Sequence, residues 1–231
     1  MEDLLRKGLA ELGLPAEGVP ALLRYGALLL ETNRVLNLTA ITEPAEVASR
    51  HFLDCAALLT LEDFRGKSLI DVGSGAGFPG LPVRILEPSV RLTLLDAQQK
   101  RVRFLENVCR ELELPDVRCI HGRAEELDSG MRESFDLAAS RAVADLRILC
   151  ELCLPFLRAG GRFLAMKSLA CGEELEGARN AVRVLGGEVD GLRDYTIPGT
   201  DIQHRVVVIR KVRGTPEGYP RSFAKIKKKP L

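Results

Sequence analysis

Leu69-Ile70-Asp71-Val72 runs into Gly73-Ser74-Gly75-Ala76-Gly77-Phe78-Pro79-Gly80, and Asp96 closes the next apolar run. The pattern is an acidic residue at the end of a buried strand, then a glycine-rich turn into a helix. At such a turn a nucleotide-like cofactor lies against backbone N–H groups and the helix N-terminus. Glycine serves there because it accepts positive φ and has no Cβ, so a ligand approaches the main chain closely. Asp96 stands near the spacing of a ribose-binding carboxylate, whose oxygens can accept two hydrogen bonds from a vicinal diol. Gly75-x-Gly77-x-x-Gly80 also matches the dinucleotide fingerprint, which leaves a nicotinamide-dependent oxidoreductase open.

Other reactive side chains offer less. Six cysteines (Cys55, Cys109, Cys119, Cys150, Cys153 and Cys171) follow no disulfide framework and have apolar neighbours, so they read as reduced, buried thiols. Cys150-Glu-Leu-Cys153 lacks further ligands at zinc spacing, and no metal is expected. His51, His121 and His204 read as structural histidines when taken alone. The net charge of +1 hides an asymmetry: residues 202–231 carry +8 and the preceding 201 carry −7. Basic charge gathered at one end suits a polyanion such as nucleic acid, against the plainer reading of a solvated, disordered tail.

These residues need elements to hold them. At 231 residues and 46% hydrophobic content the chain can bury one substantial core. No apolar run is long enough to span a bilayer, and the acidic start lacks a basic, apolar leader, so a cytoplasmic protein with no membrane partner is expected. Leucines recur at helical spacing over 2–14 and 19–37, with Val19, Leu22, Leu23, Leu29 and Leu30 on one face. Thr42 reads as the N-cap of a third helix reaching about Leu59. Strands are then expected at Ser68–Val72, Arg91–Asp96, Asp116–His121, Phe135–Ser140 and Gly161–Lys167, alternating with helices as in a parallel sheet. Val102, Leu105, Val108 and Leu112 form one face of the helix after the second strand, leaving Lys100, Arg101 and Arg103 to solvent. Beyond a helix at Glu173–Leu185, runs at Glu188–Ile197 and Gln203–Val212 have no helix between them and must pair antiparallel. The fold expected is α/β: a Rossmann-like sheet of seven strands, the last antiparallel, behind an N-terminal helical cap. The divisions are a cap at 1–62, a main domain at 63–213 and a basic tail at 214–231.

Asp71 ahead of Gly73-x-Gly75-x-Gly77 resembles motif I of the S-adenosylmethionine (SAM) methyltransferases, and the helix-free terminal strand pair is the ending of their sheet. Further motifs occur in order: Asn37-Leu38-Thr39-Ala40-Ile41-Thr42, His51-Phe52-Leu53-Asp54, Ser140-Arg141-Ala142, Met166-Lys167, Tyr219-Pro220-Arg221 and Lys228-Lys229-Pro230-Leu231. Together they resemble the RsmG (GidB) family, bacterial methyltransferases of guanine N7 in the 530 loop of 16S ribosomal RNA, over nearly the whole chain. The resemblance implies SAM as cofactor and S-adenosylhomocysteine as product, with 16S RNA or the small-subunit particle as partner of a monomer. It implies that Gly73, Gly75, Gly77 and Phe78 line the SAM pocket. Asp96 falls at the ribose, Ala124 and Glu125 near the adenine, and Arg141 at the mouth. Asn37 and His51 would face the site from the cap. Lys100, Arg101, Lys167, Arg221, Lys225, Lys227, Lys228 and Lys229 are the further candidates for RNA.

Guanine N7 carries an in-plane lone pair and no proton, so its methylation needs no general base. Alignment, desolvation and electrostatics do the work. Recognition is then expected on the Watson–Crick edge of an extruded base. A different class, a SAM- or RNA-binding module without catalysis, stays open beside the oxidoreductase.

Overall fold

A computed structural model describes residues 1–126, 129–141 and 144–231. Helices α1 (Glu2–Glu11) and α2 (Val19–Leu36) open the chain. Pro20 sits in the first turn of α2, where its missing N–H has no partner to lose, and Asn37 ends the helix in the left-handed region at φ 49°. The single third helix expected from the sequence is instead broken into pieces. Glu43, not Thr42, is the N-cap of α3 (Pro44–Val47), a π-helical turn covers Ala48–Leu53, and α4 (Asp54–Ala56) and α5 (Leu58–Leu61) follow. Such widened turns mark functional sites, and here His51, Phe52, Leu53 and Asp54 are all buried.

The main domain runs β1 (Ser68–Val72), α6 (Gly80–Leu86), β2 (Arg91–Asp96), α7 (Gln99–Glu111), β3 (Arg118–His121), β4 (Phe135–Arg141) and α8 (Leu146–Cys153). Then come β5 (Leu157–Ser168), α9 (Gly172–Val184), β6 (Gly187–Thr196), β7 (Gln203–Lys211) and α10 (Phe223–Lys228). The strands form one sheet in the order β3-β2-β1-β4-β5-β7-β6. Pairing is parallel from β3 to β5, and β7 lies antiparallel to both β5 and β6, as expected for strands with no helix between them. The third strand starts at Arg118 and the fifth at Leu157, where Asp116 and Gly161 were expected. Register aligns Val72 with Leu95 and Asp71 with Ala139. The glycine turn, Asp96 and Arg141 therefore emerge together at the carboxyl edge of the sheet.

Alternation along β1 divides the core. Leu69 joins a cluster with Leu5, Leu9, Leu22, Leu29, Phe52 and Leu105, so the N-terminal helices share one face of the sheet with α6 and α7. Ile70 and Val72 join the other, with Leu149, Cys153, Ala178 and Ile226. Each such aliphatic side chain contributes about 1.5–3 kcal/mol by leaving water. Val102, Leu105 and Val108 of α7 are buried as the spacing predicts, with Leu112 partly so.

The C-terminal segment is docked, not loose. Arg132 donates to the carbonyls of Thr215, Pro216 and Tyr219 at 2.7, 3.3 and 2.8 Å. Ile226 is fully buried. Lys211, also fully buried, donates to the Leu154 carbonyl at 2.6 Å and Thr215 Oγ1 at 2.5 Å, with Glu133 at 3.4 Å. Desolvation pushes its amine down to about 8.

Candidate functional site

Two buried carboxylates brace the glycine turn. Asp71 Oδ2 accepts the Gly80 N–H at 2.8 Å, joining the end of β1 to the start of α6. Complete burial pushes Asp71 up to about 7, against the pull of the Gly80 N–H and of Arg141, and its Oδ1 has no hydrogen-bond partner among the described residues. Asp96 accepts from Gly75 N at 2.9 Å with Oδ2 and from Gln98 N at 2.8 Å with Oδ1, while Arg101 lies 3.5 Å away. Each of its oxygens keeps a lone pair for another donor.

The turn borders a cavity of about 450 Å³ lined by Leu38, Thr39, His51, Gly73, Ser74, Gly75, Ala76, Phe78, Asp96, Ala97, Gln98, Arg101 and Arg141. That volume suits a nucleotide-sized ligand. Gly75 has φ +60°, and among the described residues a Cβ there would meet nothing nearer than the Gly73 carbonyl at 3.9 Å, so the main chain is open to close approach. An open glycine beside a carboxylate with free lone pairs fits the adenosine and methionine ends of SAM. Gly77 differs. At φ +104° its Cβ would lie 2.5 Å from Leu81 Cδ1 and 2.6 Å from the Tyr25 hydroxyl, which donates to the Ala76 carbonyl. That glycine admits α2 against the turn and is absent from the cavity lining.

A second cavity of about 350 Å³ adjoins the first, lined by Ile41, Arg50, His51, Asp54, Arg141, Met166, Lys167, Ser168, Ile202 and His204. His51 and Arg141 border both. They form a wall on Phe78: the imidazole stacks on its ring at 4.4 Å and the guanidinium lies 4.8 Å from its centroid. Arg141 Nη2 contacts His51 Nδ1 at 2.9 Å. A guanidinium only donates, so Nδ1 is the acceptor and the ring proton sits on Nε2, which donates to Thr39 Oγ1 at 2.8 Å. Burial, then the Arg141 charge, lowers His51 to about 3, and the ring is neutral. Thr39 is held in turn by paired backbone bonds to the Asn33 amide, both 2.9 Å.

Asp54 anchors the wall from below. Its Oδ2 accepts Arg141 Nη1 at 3.0 Å, and its Oδ1 accepts the Tyr195 hydroxyl and His204 Nδ1, each at 2.7 Å. Burial works against its charge, but the bonds from His204, Arg141 and Tyr195 outweigh it and hold Asp54 below the usual carboxylate range. Arg141 also donates to the Arg50 carbonyl at 3.1 Å.

The structure thus gathers Gly73, Gly75, Phe78, Asp96, Arg101, Arg141 and His51 at one cavity and Lys167 at its neighbour. Ala124 and Glu125 lie in the turn after β3 and line neither cavity. Ala124 is buried, and Glu125 pairs with Arg123 at 3.5 Å. Asn37 is the exposed helix cap, and its neighbours Leu38 and Thr39 line the cavity instead. Lys167 binds Glu174 at 2.5 Å and the Ala144 carbonyl at 2.8 Å. Lys100 borders a shallow groove between α2 and α7. Arg221 is engaged: Nε and Nη2 grip fully buried Glu151 at 2.8 and 2.6 Å, which removes it from the free cations of the tail. Lys225, Lys227, Lys228 and Lys229 are exposed. His121 contacts the Ala97 carbonyl as a structural residue, whereas His204, read the same way, lines the second cavity. Ala142 of the Ser140 motif lies outside the described residues. A further cavity of about 500 Å³, around Glu62, Arg162 and Arg193, lies at the amino edge of the sheet, away from the glycine turn.

Tyr25, Asn33, Asp54, Tyr195 and His204 are contributors that the sequence reading did not place. Only Asp54 had left a signal, inside the His51–Asp54 motif.

The family described as GidB, rRNA small subunit methyltransferase G, matches residues 19–200. Ribosomal RNA small subunit methyltransferase G of Alkaliphilus metalliredigens is 45% identical over 99% of this chain and 98% of its own length. Its counterpart from Clostridium perfringens strain 13 is 41% identical over the same shares. Among solved structures, the mitomycin 7-O-methyltransferase MmcR superposes with a TM-score of 0.59 at 16% identity, covering 81% of this chain and 60% of that one. TrmN from Thermus thermophilus gives 0.54 at 22% identity, covering 71% and 53%. At such identities the likeness is one of fold.

Proposed function

The chain belongs to the rRNA small subunit methyltransferase G family, and from that we propose that it methylates guanine N7 in the 530 loop of 16S ribosomal RNA, leaving S-adenosylhomocysteine. It is a SAM-dependent methyltransferase acting on RNA. The nicotinamide reading is set aside with the family and with the antiparallel β6–β7 ending of the sheet.

What supports the proposal is the shared wall of His51 and Arg141 between two adjoining cavities. We assign the larger to SAM, held by Gly73, Gly75, Phe78 and Asp96, and the smaller to the target base. When bound, SAM supplies an electrophilic methyl on a sulfonium. The protein's task is then to align and desolvate, since an in-plane nitrogen lone pair needs no deprotonation. The wall suits that task. Neutral His51 has both ring nitrogens occupied and is no base. Arg141 commits donors to Asp54, the Arg50 carbonyl and His51, so its charge borders the site without capping a nucleophile. Arg50 and Lys167 at the second cavity, with Lys100 and Arg101, give the RNA phosphates cationic partners. Lys225, Lys227, Lys228 and Lys229 extend the same role to the tail.

Nucleoside mass spectrometry of 16S RNA from a deletion strain tests the proposal. Loss of one 7-methylguanosine in the 530 loop, restored by the parent chain but not by a Gly75→Val variant, is expected. Persistence of that nucleoside, or restoration of a methyl on an exocyclic amine, would overturn it. Purified protein that binds SAM and RNA but transfers no methyl in vitro would identify a binding module instead.

A further inference from the structure

Two of the six cysteines face each other. Cys109, in the last turn of α7, and Cys119, in β3, place their sulfurs 3.9 Å apart. The other four are buried free thiols, and none of them makes such a contact among the described residues. From this juxtaposition we propose that Cys109 and Cys119 form a reversible disulfide site, closed by a peroxide and opened by a small-molecule thiol.

The surroundings favour chemistry at Cys109. A shallow depression of about 410 Å³, lined by Cys109, Arg110, Glu113, Leu114 and Pro115, opens onto it, so a small oxidant has a route in. The Cys119 contact, and then the nearby charge of Arg84, lower the Cys109 thiol from its ordinary value against burial and the Glu106 charge. Arg84 is itself buried, and its Nε has no hydrogen-bond partner among the described residues. Cys119 is raised, first through its contact with Cys109, and the depression opens onto Cys109 and not onto Cys119, so Cys109 meets the oxidant first. Cys119 is only partly buried, which lets its side chain rotate toward its partner.

The steps balance. The Cys109 thiolate attacks one peroxide oxygen, the O–O bond breaks, and with one proton hydroxide leaves as water, giving a sulfenic acid. The Cys119 sulfur then attacks the sulfenic sulfur, an S–S bond forms, and a second water leaves with the Cys119 proton. Two thiols are oxidised and one peroxide is reduced. Bond formation closes the sulfurs from 3.9 Å to the bonded distance of about 2.05 Å. In a reducing compartment such bonds are transient, which is what a reversible site requires.

The test uses the full folded chain treated with stoichiometric hydrogen peroxide, alkylated, and digested without reductant. A peptide pair joining Cys109 to Cys119, lost on adding dithiothreitol, is expected, with denatured thiols falling from six to four. In Cys119→Ala the intermediate should persist as a dimedone adduct on Cys109, and Cys109→Ala should give neither product. Circular dichroism before treatment shows that each variant is folded. Alkylation of both cysteines in peroxide-treated parent protein, or a bond formed only in urea, would overturn the proposal. Because the readout is covalent, it stands apart from which RNA the protein methylates.

Discussion

Gly75 and Gly77 sit two residues apart in one turn, yet an added methyl should act on different properties. In Gly75→Ala the Cβ enters open space, its nearest neighbour the Gly73 carbonyl at 3.9 Å. The folded chain then bears only the left-handed backbone penalty, about 1–2 kcal/mol. The methyl, however, stands where the cofactor must meet the main chain, so SAM affinity should fall tenfold or more, about 1.4 kcal/mol at least. In Gly77→Ala the Cβ lands 2.5 Å from Leu81 Cδ1, 2.6 Å from the Tyr25 hydroxyl and 3.1 Å from Leu105 Cδ2. The backbone penalty is joined by about 1–3 kcal/mol of overpacking. If fully buried Tyr25 is driven off the Ala76 carbonyl, about 1–3 kcal/mol more is lost. The sum is about 3–8 kcal/mol, which for a chain of this size lowers Tm by roughly 6–32 °C, against about 2–8 °C for Gly75→Ala. Thermal unfolding without ligand and calorimetric titration with SAM separate the two. A Gly77→Ala protein that melts like the parent but fails to bind, beside a Gly75→Ala protein that binds normally, would refute this account of the turn.

Measured in an Asp71→Asn background, so that the carboxyl at about 7 does not titrate, single-turnover methyl transfer at saturating SAM should be flat from about pH 6.5 to 9, because His51 titrates far below that range. A stopped-flow rate climbing with one ionisation there, or a profile that changes shape in His51→Ala, would contradict the base-free mechanism. Asp71 ionises in the unfolded chain near its ordinary value of 3.8 and in the folded one at about 7, so between those pH values the folded state holds the extra proton and stability falls as pH rises. Relative to Asp71→Asn, the parent should lose about 4 kcal/mol across that window in urea denaturation of the ligand-free protein, and a pH-independent difference would exclude the raised carboxylate. Replacing Lys225, Lys227 and Lys228 together with alanine should flatten the salt dependence of RNA binding by about 0.7 log unit of slope per lost phosphate contact. Arg221→Ala should instead destabilise the fold by about 3–5 kcal/mol, since Glu151 is left buried without its cation; a stable variant with a flattened slope would return Arg221 to the RNA surface.

The parts of this molecule legible in the sequence are those with a local period. β1 and β2 have the limits that apolar runs gave them, and the terminal antiparallel pair followed from the missing helix alone. The glycine turn was readable because Gly73, Gly75 and Gly77 take the positive φ that favours glycine. Less legible was anything set by partners far along the chain. Gly77 looks like Gly75 until Tyr25 is brought against it, and nothing in its neighbourhood announces that. Thr39 and Asn33 have no period in common, and only the left-handed Asn37 between them folds the chain back so that they meet. Arg221 counted as one more basic residue in a basic tail, because its partner Glu151 lies 70 residues earlier.

Asp54 has an implication for the order in which the site comes into being. Residues 38–141 supply every group lining the larger cavity, so most of a nascent chain could already enclose that space. The smaller cavity waits for Met166, Lys167, Ile202 and His204. Two of the donors on Asp54 arrive from 141 and 150 residues downstream. β7 must also slot between β5 and β6 before they are in place. Until then a carboxylate bound for burial lacks two partners, and the partition between the cavities is held from one side only. On the proposed assignment of the two cavities, a chain lacking the final hairpin would carry every residue that lines the methyl-donor space and lack the floor on which a base would rest.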